Sequence, residues 1–320
     1  MKTGVILVTL GGPRSPEEIP EFIKHFIGRE LPPPAMKAVI ERYRLIGGFS
    51  PLARITEEQA IALGEALGKG YLCVPAFRHS RPFIEDVLES MAVVAPARIL
   101  VLLLSPFYTS VTTGNYIDIA KSLIEKQSLS VPVVFIHSWY KEPLFIESWV
   151  EQIRGDSFDE RAFYLFSAHS LPMKYAGEPY RQQIEETAAL VASHAGIQNH
   201  ALGWQSIPGN AAEPWITPTV EEQIDAIAAA GFKGIIQVPI GFTADHIETL
   251  YDIDITHRQY ALGKGLSFRR IPSLNAGAPF IKALKEVVTK VDGPVKSLET
   301  PYSVIPANPG SGSGTGAGIQ

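Results

Sequence analysis

Short runs of Val, Ile and Leu with no polar alternation recur along this chain, separated by longer stretches in which apolar side chains return every three or four residues. The runs fall at 4–10, 71–77, 99–105, 132–137, 162–168, 201–206, 234–239 and 267–271. A run without alternation has no solvent-facing side, so each predicts a strand covered on both faces, as in a parallel sheet. The periodic stretches, among them 57–67, 82–93, 180–195, 220–230 and 281–291, predict the covering helices. Eight strands divide four and four. The expected fold is therefore α/β, with two similar Rossmann-like, doubly wound domains over 1–145 and 146–300, joined near 140–160 with a cleft between them. A Gly/Ser-rich tail over 301–320 is expected to be flexible, because from residue 306 it has no charge and little apolar surface to bury.

Composition changes the picture of partners more than that of the fold. With 46% hydrophobic and 19% charged residues, the chain has ample material for a core. A net charge of -5 gives no electrostatic reason to expect nucleic acid. The single cysteine, Cys73, excludes an intrachain disulfide and a four-cysteine iron–sulfur cluster. No apolar run approaches the ~18 residues of a membrane span, and the first strand is too short and poorly flanked for a signal peptide. A cytoplasmic protein is expected, with membrane contact no stronger than weak peripheral association.

Two strand-to-helix junctions carry the ionisable groups. In Phe166-Ser-Ala-His-Ser-Leu-Pro-Met173, His169 follows an apolar run; in Val238-Pro-Ile-Gly-Phe-Thr-Ala-Asp-His-Ile-Glu-Thr-Leu250, Asp245, His246 and Glu248 do so. α/β proteins place ligands at such strand ends, where an imidazole and a carboxylate can exchange protons and bind a divalent cation. Taken alone, His169 reads more readily as a histidine satisfied by backbone carbonyls. Asp245, Glu248 and Asp252 share one face of a regular helix, and such a row reads equally well as a solvated face. Gly11-Gly12-Pro13 matches no phosphate-binding glycine fingerprint and is expected to let a flat ligand approach the backbone. Arg42 and Arg78, near turns, suit carboxylates if they are not plain surface cations.

In order along the chain, residues 7–13, 42–51 and 76–78, the two junctions, Gly177-Glu-Pro-Tyr180, Trp204-Gln-Ser206, Glu213-Pro-Trp215 and Ser273-Leu-Asn275 resemble the ferrochelatases, lyases that insert ferrous iron into a porphyrin in haem biosynthesis. The resemblance implies a porphyrin lying edge-in between the domains, with iron and porphyrin as substrates and no permanently bound cofactor. It assigns His169 and Glu248 as catalytic and metal-binding groups, with Asp245, His246 and Asp252 as proton or metal relays. Leu10, Arg42, Tyr43, Ser50, Arg78 and Tyr116 become porphyrin contacts, Leu10 standing where some relatives have a tyrosine. Leu10-Gly-Gly-Pro and His246-Ile-Glu-Thr-Leu resemble the protoporphyrin IX enzymes, and that substrate is slightly favoured. The short Pro-rich segment 26–36 resembles instead the coproporphyrin III enzymes, the alternative, beside a non-catalytic haem- or porphyrin-binding protein and a chelatase of sirohaem or vitamin B12 precursors.

Overall fold

The computed structural model describes residues 2–155, 159, 161–209, 211–292 and 302–305. All eight expected strands are present, their ends moved by at most two residues. β1 (Thr3–Thr9), β2 (Tyr71–Phe77), β3 (Arg98–Leu103) and β4 (Val133–Ile136) form one parallel array in the order β2-β1-β3-β4. β5 (Phe163–His169), β6 (His200–Gln205), β7 (Gly234–Val238) and β8 (Ser267–Arg270) form a second, in the matching order β6-β5-β7-β8. A ninth strand, β9 (Tyr302–Ile305), pairs antiparallel with β4. That strand corrects the tail as expected: the open edge of β4 offers unpaired backbone groups, and a returning segment satisfies them. Residues 306–320, the glycine-rich part, lie outside the described residues.

The covering helices are α1 (Ile19–Ile27), α2 (Pro33–Leu45), α3 (Leu52–Leu67), α4 (Ile84–Val94), α5 (Asn115–Gln127), α6 (Pro143–Gly155), α7 (Pro179–Ala195), α8 (Val220–Ala229), α9 (Arg258–Gly263) and α10 (Ala278–Asp292). Two segments, Ser110–Gly114 and Glu248–His257, are π-helical. The interior of β1, Val5-Ile6-Leu7-Val8, is almost wholly buried, as its unbroken apolar run requires.

One hydrophobic core runs through both sheets. Leu7, Leu100 and Leu102 of the first sheet join Phe166 and Val238 of the second through Trp149 of α6 and Leu284 of α10. Removing a large fully buried side chain such as Trp149 would cost about 3–5 kcal/mol. α6 spans the residue 145/146 junction, so it is shared packing rather than a linker. In each sheet the strand order turns at the gap between the first and third strands, the place where α/β folds open a crevice. In the second sheet that gap is bounded by the ends of β5 and β7, which lead to His169 and Glu248.

Candidate active site

His169 is the last residue of β5, in register with Gln205 of β6. Its Nδ1 lies 2.5 Å from the Ser170 carbonyl oxygen. A carbonyl only accepts, so Nδ1 carries the proton and Nε2 presents a lone pair. That Nε2 faces Glu248 Oε1 at 3.8 Å. The gap is too long for a direct hydrogen bond and accommodates a cation at about 2.1 Å from each atom. Tyr180 Oη donates to the His169 carbonyl at 2.9 Å, fixing the strand end from α7.

Glu248 reaches this position because the chain after β7 crosses close over β5. A Cβ on Gly241 would stand 2.6 Å from Ala168 Cβ, so only glycine fits there. The segment then enters a π-helix over Glu248–His257, where hydrogen bonds run i→i+5. This replaces the regular helix on which Asp245, Glu248 and Asp252 were to share a face. Asp245 precedes the helix and is occupied: Arg270 Nη1 donates to its Oδ1 at 2.8 Å and Asn275 Nδ2 to its Oδ2 at 2.9 Å. Both oxygens are taken, and its carboxyl, though buried, is held below the usual range by Arg270 and these hydrogen bonds.

The other relay candidates gather around Glu248. His246 Nε2 lies 3.6 Å from Glu248 Oε2, and its Nδ1 is buried without a partner among the described residues. Burial opposes ionisation of Glu248, but His169 and His246 outweigh it and hold the carboxyl at about 2. Asp252 moves the other way, raised by burial and then by the Glu248 charge, although Ser206 Oγ donates to its Oδ2 at 2.7 Å. Two neighbouring carboxyls are thus driven apart, the arrangement that separates an anion from a proton carrier. Ser206 holds a left-handed backbone, φ 64, unusual for a side-chain-bearing residue. Gln205 Nε2 donates to the Glu248 carbonyl at 3.0 Å.

Residues of the first half pack against this segment. Leu10, just past β1, packs with Leu52, Ile55 and Ala244. Tyr43 and Tyr116 are buried, and Glu248 helps raise the pKa of both hydroxyls, behind burial as the main cause. Arg42 is exposed and stacks over Tyr251, 5.3 Å from the ring centre. Arg78 follows the end of β2, its Nε donating to Asn115 Oδ1 at 3.2 Å, and its charge opposes that of Glu248 at the Tyr116 hydroxyl. Ser50 is buried against the Gly11-Gly12 turn. Those glycines are required by the protein's own packing: a Cβ on Gly11, at φ 87, would meet Ser80 Oγ at 2.3 Å, and one on Gly12 would meet Ser50 Cβ at 2.7 Å.

Tyr180, Gln205, Ser206 and Arg270 stand at the site without having been singled out for it. Gln205 ends β6 and Arg270 ends β8 as His169 ends β5, with Ser206 next after β6, and the strand-end rule applied to every strand would have found them.

The sequence profile of the ferrochelatase family matches residues 2–291. The chain belongs to the ferrochelatase family. It is accordingly an enzyme of haem biosynthesis that inserts metal into a porphyrin, with iron and porphyrin as its substrates. It is 38% identical over 306 residues to the coproporphyrin III ferrochelatase of Halalkalibacterium halodurans, covering 90% of this chain and 97% of that one. It is 36% identical to that of a Geobacillus species, covering 90% and 97%. Among solved structures, SirB from Bacillus subtilis with Fe3+ superposes with a TM-score of 0.61 at 11% identity, covering 92% of this chain and 96% of that one. CbiX, described as the terminal enzyme for sirohaem biosynthesis in denitrifying bacteria, superposes at 0.52 with 11% identity, covering 91% and 99%. At such identity these chelatases share the fold with this ferrochelatase, while the sequence match separates it from their substrates. No helix among the described residues is long and apolar enough to cross a membrane.

Proposed function

We propose that this ferrochelatase inserts ferrous iron into coproporphyrin III, with His169 and Glu248 as the groups that meet the iron and the pyrrole protons. The observation that carries the site reading is the separation of 3.8 Å between His169 Nε2 and Glu248 Oε1, beyond a direct hydrogen bond and within reach of one shared ion. A neutral imidazole nitrogen and a carboxylate oxygen this close can share a proton or a divalent cation, and metallation requires both in turn. Among the described residues no group of three or more His, Cys, Asp or Glu side chains converges tightly enough to hold a metal. Two protein ligands suit an ion that is passed on, the remaining coordination coming from pyrrole nitrogens and water. Asp252, next along the π-helix and hydrogen-bonded to Ser206, is the proton carrier leading away from Glu248.

Support for coproporphyrin III comes from relatives of that name at 36–38% identity over 90% of the chain. It outweighs the preference for protoporphyrin IX drawn from Leu10. The segment between α1 and α2, Gly28-Arg-Glu-Leu-Pro32, is short and partly charged, in keeping with a substrate bearing four carboxylates. Arg42 and Arg78 are the cations offered to them. Action in the cytoplasm belongs to the same reading.

Anaerobic mixing with ferrous iron and each porphyrin, followed by loss of free-base absorbance, tests it. Faster metallation of coproporphyrin III is expected. Preference for protoporphyrin IX overturns the substrate, and binding of both with metallation of neither overturns the activity.

A further inference from the structure

We infer that Arg270 is a positioning residue for Glu248, acting as an ionic staple across the arc that carries it; this rests on the reading of Glu248 above. The arc runs from Asp245 to Asp254 and contains His246, Glu248 and Asp252. One guanidinium closes it. Arg270 Nη1 donates to Asp245 Oδ1 at 2.8 Å, while Nε and Nη2 donate to Asp254 Oδ1 and Oδ2 at 2.7 and 2.9 Å. The Arg270 side chain is only 9% exposed, and that of Asp245 14%. The staple stands on the last residue of β8, so the arc is referred directly to the second sheet.

An i→i+5 helix is the less favourable way to wind a chain and persists where its surroundings impose it. Here both ends of the winding are held. At the far end, Gln237 Nε2 lies 3.2 Å from His257 Nδ1 and donates to Ser167 Oγ at 2.8 Å, tying the last π-helical residue to β5 and β7. At the near end the staple takes this role, reinforced by Asn275, whose side chain bonds both the backbone and the carboxylate of Asp245. Among the described residues the ion-pair partners of the Glu248 carboxylate are imidazoles, at 3.6 and 3.8 Å. Its placement relative to His169 therefore follows from where the arc puts its backbone. Lysine cannot reproduce a planar fork that reaches three oxygens on two carboxylates.

The test is a double-mutant cycle on single-turnover iron insertion, with porphyrin affinity measured in parallel by fluorescence quenching. Arg270→Lys is expected to slow insertion about tenfold to a hundredfold, as a displaced reacting group does, with porphyrin affinity unchanged. In the Glu248→Gln background the same change is expected to add nothing, because the group it positions is already gone. If the two effects multiply, or if Arg270→Lys loses porphyrin affinity along with insertion, the inference is overturned. If Glu248→Gln alone inserts iron at the wild-type rate, the reading of the site fails and the inference falls with it. Should Arg270→Lys not fold, Asp254→Asn opens the staple at its more exposed end, and its cycle with Glu248→Gln is judged by the same outcomes.

Discussion

The two halves share a strand order and differ in what their strand ends present. In the first sheet, β1 hands over to Leu10 and β3 leads through Ser105-Pro-Phe-Tyr108 into a short π-helical turn and α5. In the second, β5 ends at His169, and β7 leads through a glycine crossing into a π-helix bearing Glu248 and Asp252. The matched positions are apolar or hydroxylic on one side and ionisable on the other. The strands beneath differ similarly: the interiors of β1 and β3 are wholly apolar, whereas β5 and β7 bury Ser167 and Gln237, the footing for His257. Duplicated architecture thus supports a division of labour. A flat macrocycle needs one wall to lie against and one to react with, and a symmetric pair of ionic walls would oblige the protein to desolvate twice the charge.

The largest effect should come from emptying the reacting wall. His169→Ala and Glu248→Gln are each expected to slow iron insertion by on the order of 10²–10⁴, the range for a positioned proton-transfer group, while porphyrin still quenches and binds. Stopped-flow absorbance measures the first and fluorescence titration the second. Wild-type turnover in either variant would place the chemistry elsewhere.

A smaller effect, on stability, separates the polar footing of the second half from the first. His257 is buried, and burial lowers its pKa from 6.5 to about 4. The unfolded chain takes the proton first, so stability is whole above 6.5 and is lost as pH falls towards 4, by up to about 3 kcal/mol. His257→Gln should flatten that slope in urea melts taken across the window. His79, at the first half's edge, is shifted the same way by burial and then by Arg78, so part of the slope remains in the variant. An unchanged slope would mean that His257 is solvated.

Much of the fold could be read from the chain because parallel strands announce themselves through unbroken apolar runs. His169 and Glu248 stood out as candidates because they follow where those runs stop. The π-helix was not, since a 3.6-residue periodicity assumes the winding it sets out to detect. Its consequence was the misplaced carboxylate row: Asp245 looked like a partner of Glu248 and is instead held by Arg270 and Asn275, 25 and 30 residues downstream. Contacts between distant segments leave no local pattern. The same holds for β9 and for Gly11 and Gly12, whose tight neighbours Ser80 and Ser50 no local pattern marks. Helix α2 went unassigned because it is Pro-interrupted at its start and largely exposed, which blurs the apolar stripe.

The smallest expected effects lie on the passive wall, and they sharpen the division most. Arg42→Ala removes an exposed cation worth about 1 kcal/mol at most, so the KM for coproporphyrin III should rise by no more than about fivefold with kcat unchanged. Leu10→Tyr goes further by adding an oxygen to the first half. Leu10 packs against Leu52, Ile55 and Ala244, so the larger ring should cost about 1–3 kcal/mol of stability through overpacking. If the first half is only a surface for the ring, Leu10→Tyr placed in the Glu248→Gln background restores none of the lost insertion. Recovery of even a tenth of the wild-type rate in that double variant would show that the ionic wall can be built on either half, and that its confinement to β5 and β7 is a matter of history rather than of geometry.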